Sequence, residues 1–106
     1  MQKHKRDERV AALVRAYQQF SEECQRRTDA LDPTWGARAR HALWMMDTLE
    51  RLTVEQAEIR RAFGSMIDAA TLNRLDQNLA QTRQRALDLL RLAIDALAAE
   101  VQAAGS

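Results

Sequence analysis

One cysteine, one proline and three glycines are all that 106 residues contain by way of cross-links and chain breakers. A single thiol, Cys24, closes no intrachain disulfide, so no cystine framework holds this chain and a reducing cytoplasm is the expected setting. Zinc motifs need more Cys and His than one Cys and two His supply. The Glu-x-x-His pairs of di-iron bundles are missing too, since neither His4 nor His41 follows a glutamate by three residues. There is no glycine-rich phosphate loop and no nucleophile elbow. No apolar run reaches the eighteen or more residues of a membrane span, and the polar stretch Met1–Arg9 has no hydrophobic segment after it, so neither a span nor an export signal is expected. Excess charge of one sign is also lacking: sixteen basic and fifteen acidic residues leave a net charge of +1. That balance argues against a general polyanion binder. No cofactor, metal or catalytic residue is expected.

What the chain has in abundance is Ala, Leu, Arg, Gln and Glu, all good helix formers. The expected class is all-α, in one domain over residues 1–106, because smaller pieces would bury too little core. Fourteen of the sixteen basic residues are Arg, a bias that fits a GC-rich bacterial genome as well as any function.

Val10, Leu13, Tyr17, Phe20, Cys24 and Leu31 recur at spacings near three and four, which predicts a first helix from Asp7 to Asp29 with one buried face. Cys24 falls on that face, after Glu22 and Glu23, and reads as a buried structural thiol. Asp32-Pro33 predicts the next helix start, with Asp32 as N-cap and Pro33 in the first turn. Thr53-Val54-Glu55-Gln56 matches a capping box and would begin a separate helix, giving four in all. However, Ala42, Met45, Leu49, Leu52, Gln56, Ile59, Phe63 and Met66 hold one phase through that point. A second helix unbroken from Pro33 to Phe63 is therefore favoured. Gly64 is expected to end it in a left-handed conformation, with Ser65 or Asp68 capping a third helix from Met66 to Ala103. Short connections make neighbouring helices antiparallel. The expected fold is an antiparallel up-down-up three-helix bundle with long second and third helices, frayed at residues 1–6 and 104–106.

The third helix carries more apolar surface than one neighbour can cover. Leu87, Leu90, Ile94, Leu97 and Val101 form one stripe, which is expected to face the core. Leu89, Leu92, Ala96, Ala99 and Ala103 form a second stripe on nearly the opposite side. Arg91 sits between them, spaced to pair with Asp88 and Asp95. Residues 73–85 offer only Leu75, Leu79 and Ala80, a thin seam expected to be the loosest part. On the second helix Trp35 is in phase with Ala42 and Leu49 and is expected in the core. Trp44 points away, among Arg40, Asp47 and Arg51, either as an interaction hot spot or stacked on Arg40 or Arg51.

These surplus surfaces predict a non-enzymatic protein-interaction module, an adaptor, chaperone-like or regulatory subunit, that self-associates as a dimer and contacts another protein. The expected partner-binding residues are Trp44, Arg40, Arg51, Leu89, Leu92 and Ala96. The alternative is a subunit of a nucleoprotein assembly that uses Lys3, Lys5, Arg6 and Arg9 on phosphates. In outline, a short helical rod with an apolar end is similar to flagellar and type III export chaperones and to phage assembly factors, with no shared motif to place it in either.

Overall fold

The computed structural model describes residues 2–105, which form an up-down-up three-helix bundle without strands. Helix α1 spans Gln2–Asp29, α2 Trp35–Phe63 and α3 Ala69–Ala104, and a short 3-10 turn, Gly64–Met66, joins the last two. The molecule is a rod of 66 × 22 × 17 Å.

The second helix does not break at Thr53. Its hydroxyl donates to the Leu49 carbonyl (2.7 Å) within an intact helix, and Gln56, the other half of the supposed capping box, turns inward. The phase of the buried stripe wins because Ala42, Met45, Leu49, Leu52, Gln56, Ile59 and Phe63 all need the same side to stay buried.

The ends differ from expectation. Residues 2–6 are already helical, with Arg6 Nη1 donating to the Met66 carbonyl (2.8 Å) and tying the start of α1 to the second turn. Ala104 is helical as well, and the Gly105 N–H closes on the Val101 carbonyl at 3.0 Å. Met1 and Ser106, also expected to fray, lie outside the described residues. Thr34, not Asp32, caps α2: its hydroxyl accepts from the Ala37 N–H at 3.2 Å. The helix thus starts two residues after Pro33, because a capping side chain must reach N–H groups two or three residues on. Gly64 is right-handed (φ −56°, ψ −35°), since the chain leaves α2 through a 3-10 turn and needs no left-handed residue. Asp68 then caps α3 by accepting from the Thr71 N–H (3.2 Å).

The core belongs chiefly to α2. Leu13 and Phe20 of α1 and Leu79 and Ala86 of α3 pack around Met45, Leu49, Leu52, Ile59 and Phe63. The two outer helices each pack along α2 and scarcely on each other. Leu75 also packs on this cluster, so the stretch expected to be a thin seam carries the core of α3.

Candidate protein interface

In α3 the residues turned to α2 are Leu72, Leu79, Ala86 and Ala93, one every seventh position. Ala86 and Ala93 are completely buried, and an alanine surface lets two helices approach closely. The stripe expected to face the core, Leu87, Leu90, Ile94, Leu97 and Val101, is instead rotated off it. Ile94 is 53% exposed and Val101 72%, while Leu87, Leu90 and Leu97 are half-buried. The reason lies upstream: one continuous helix keeps one phase, and that phase is set where Leu72 and Leu79 meet α2. Ile94 and Val101 lie one residue past the alanine row, about 100° further round. On the other flank Leu89 and Ala96 are half-buried and Leu92 is 56% exposed. The contiguous core ends at Ala86, where the leucine-rich segment begins. Arg91 makes no ion pair; Asp88 accepts from Gln84 (2.8 Å) instead.

Trp44 does not stand on a free charged strip. It faces α1, stacked on Phe20 (ring centroids 5.6 Å apart) and His41 (5.9 Å), with the Arg27 guanidinium 4.3 Å above its ring. Glu23 accepts from Arg27 (2.9 Å) and Arg26 and so holds that cation in place; both keep its carboxyl down at about 2. A helix with a neighbour on each side buries a wide arc, and Trp44 sits at its α1 edge, where a phase taken from Ala42 and Leu49 does not reach. Its cation is therefore Arg27, not Arg40 or Arg51. Arg40 is exposed, and Arg51 pairs with Asp47 at 2.7 Å in solvent. Trp35 is half-buried under the Arg38 guanidinium (4.3 Å) rather than in the core.

The basic arm is partly consumed by its own chain. Arg9 pairs with Glu55 (2.8 Å) and Glu58 (3.4 Å), and Arg6 with Asp7 and the Met66 carbonyl. Only Lys3 and Lys5 of the four are exposed without a partner.

Two features depend on which helices meet and at what level. The first is a polar layer through the bundle. Tyr17 donates to Gln56 Oε1 (2.7 Å), Gln56 Nε2 donates to Asp76 Oδ1 (2.7 Å), and Arg60 pairs with the other oxygen of Asp76. One residue from each outer helix thereby meets the single buried glutamine of α2, and burial together with the Asp76 charge raises the Tyr17 pKa. The second is Cys24, whose sulfur lies 3.9 Å from His41 Nε2, with Thr28 Oγ1 3.4 Å from the same nitrogen. Burial pushes the Cys24 thiol up against a smaller lowering by Thr28. Burial, then the Arg27 charge, pushes His41 down. Both shifts favour the neutral pair, the reverse of what a thiolate nucleophile needs. Cys24 lines an open groove of about 600 Å³ between α1 and α3, with Met45 and Leu49 also among its lining residues. Among the described residues no three His, Cys, Asp or Glu side chains gather to hold a metal ion, and no helix is long and apolar enough to cross a membrane.

The His41 shift has a measurable consequence. In the unfolded chain the imidazole titrates near its ordinary 6.5, whereas the folded protein resists protonation. As pH falls through 6.5 the unfolded state takes up a proton that the native state refuses, and stability drops until the lower native pKa is passed. Urea midpoints measured from pH 7.5 to 5.5 should fall with pH in the wild type and flatten in His41→Gln. A wild-type midpoint flat over that range would contradict the placement of His41.

Comparison with protein-family models, curated proteins and solved structures returns no match to this chain.

Proposed function

We propose that this protein is a non-enzymatic, cytoplasmic helical interaction module, an adaptor, chaperone-like or regulatory subunit, that self-associates through the C-terminal half of α3 and presents its remaining surface to another protein. One observation carries the reading: the most apolar segment of the chain is only partly covered by α2 and leaves large apolar side chains in solvent. Past Ala86 the helix keeps its hold on α2 through fully buried Ala93, while Ile94 and Val101 stand more than half exposed on one flank and Leu92 on the other. Isolated exposed apolar residues are ordinary, but Ile94 and Val101 continue one stripe with the half-buried Leu87, Leu90 and Leu97, and such a stripe marks a contact surface.

Catalysis finds no support in the Cys24–His41 pair, which is biased toward its neutral form. A nucleoprotein role is weakened by the internal use of Arg6 and Arg9.

Solution mass by light scattering on an eluting column peak, over a concentration series and at low and high salt, tests the proposal. The expected result is a species of about twice 12.1 kDa that survives high salt, as an apolar interface does. A monomer at every concentration contradicts self-association. Nucleic-acid binding that falls steeply with salt would favour the nucleoprotein reading.

A further inference from the structure

The exposed stripe of α3 has the spacing of a coiled-coil seam. Leu87, Leu90, Ile94, Leu97 and Val101 alternate steps of three and four, which places them at the two apolar positions of successive heptads. No charged residue interrupts the five. The rest of the bundle leaves this seam open, since Ile94 and Val101 are exposed and the other three are only half-buried.

The shape leaves area to spare for a partner. A compact monomer of 12.1 kDa exposes about 6,000 Å², whereas this chain exposes 7426 Å². The excess of roughly 1,400 Å² comes with the 66 × 22 × 17 Å rod shape, whose long flank has room for the ~800 Å² that each partner buries in a standard interface.

The shape says how. Gln56 and Arg60 both reach Asp76, which fixes the antiparallel level of α2 against α3. At that level the start of α2 lies opposite the residues around Leu97. The last turns of α3 therefore project past the body, and every residue from Ala98 to Gly105 is exposed. The Arg60–Asp76 pair also marks the flank of the α2–α3 layer that faces away from α1. By helical phase, 53% exposed Leu43 lies on that flank, at the level of Leu87 and Leu90.

We infer that the occupant of this seam is the same seam of a second copy, running antiparallel. Ile94 then packs on Leu97 of the second copy and Leu90 on its Val101, with the reciprocal contacts across the two-fold axis, as an isologous interface requires. This arrangement lays each projecting end along the body of the other copy. Val101, the most exposed large apolar residue, thereby reaches the flank of the second copy that carries Leu43. A parallel pair would set projecting end against projecting end, with no α2 beside either. The inference rests on the proposed self-association and names its surface and polarity.

Ile94→Glu/Val101→Glu tests the surface. Both positions are exposed in the single chain, so helix content by circular dichroism should stay at the wild-type level while the mass falls from about twice 12.1 kDa to 12.1 kDa. Leu92→Glu, equally exposed on the opposite flank, should leave the dimer intact. Polarity is read in a Cys24→Ala background: Val101→Cys alone should not cross-link to itself on oxidation, and Leu90→Cys/Val101→Cys should. A dimer that survives Ile94→Glu/Val101→Glu, or is lost in Leu92→Glu, overturns the seam while leaving self-association standing. A Val101→Cys cross-link overturns the antiparallel polarity. A wild-type monomer overturns the proposed function itself.

Discussion

Truncating Leu13 to alanine should lower the unfolding free energy by about 4 kcal/mol, in the upper half of the ~2–5 kcal/mol range for buried Leu→Ala changes. Leu13 is 1% exposed, packs in the core cluster and is not among the residues that line the open groove. The hole left behind is sealed, so its walls lose their contacts without gaining water. Leu49 is buried to the same 1%, but it lines the groove between α1 and α3. Water can enter the space that Leu49→Ala opens, so that variant should lose only about 2–3 kcal/mol, toward the low end of the same range. Urea denaturation followed by far-UV circular dichroism measures both, with the denaturant slope unchanged. Since small domains hold only ~5–15 kcal/mol in total, the Leu13 variant should melt far below the wild type. Equal losses at the two sites would mean that the groove is closed in solution.

Enlarging Ala86 to leucine is the second large effect, and it acts in the opposite way. Ala86 is fully buried where α3 comes onto α2, and Ala93 repeats the contact one heptad on. Three extra carbons there have no space and must push the two helices apart, a cost of about 1–3 kcal/mol for overpacking despite the added apolar surface. A leucine helps a surface helix at least as well as most residues, so helix propensity does not cause the loss. The same denaturation experiment checks it, and a stabilised Ala86→Leu protein would show that α2 and α3 are further apart than described. Leu92→Ala serves as the contrast, because Leu92 is more than half exposed and should change the stability of the single chain little.

Helix number, and the continuity of α2 through Thr53, were legible in one-dimensional phase, because α2 touches both neighbours and its stripe of buried residues never resets. Phase failed where two stripes were equally apolar. Along Leu87–Val101 the local pattern points to the leucines, but the orientation was decided some ten residues earlier by Leu72 and Leu79. Trp44 escapes a single phase for a related reason: a helix with two neighbours has no single buried direction, and α1 covers the edge on which it lies. Cys24–His41 and Tyr17–Gln56–Asp76 could not be read from any one helix, since each depends on the level at which two helices lie side by side. Only the small steric and polar groups at the turns, Thr34 and Asp68 among them, settle where each helix begins, and those two signals compete with Asp32, Pro33 and Ser65 close by.

The arrangement of the outer helices, each packed on α2 and scarcely on one another, sets the order in which the chain can find its structure. Every large contact joins helices adjacent in sequence, so the bundle is two helical hairpins sharing a leg. Little chain entropy must be spent before contacts form, which puts such a topology among the fast folders, in microseconds to milliseconds. The two connections are equal in length, so the more extensive packing of α2 on α3 makes that hairpin the one expected to form first. The first helix then closes onto a preformed surface.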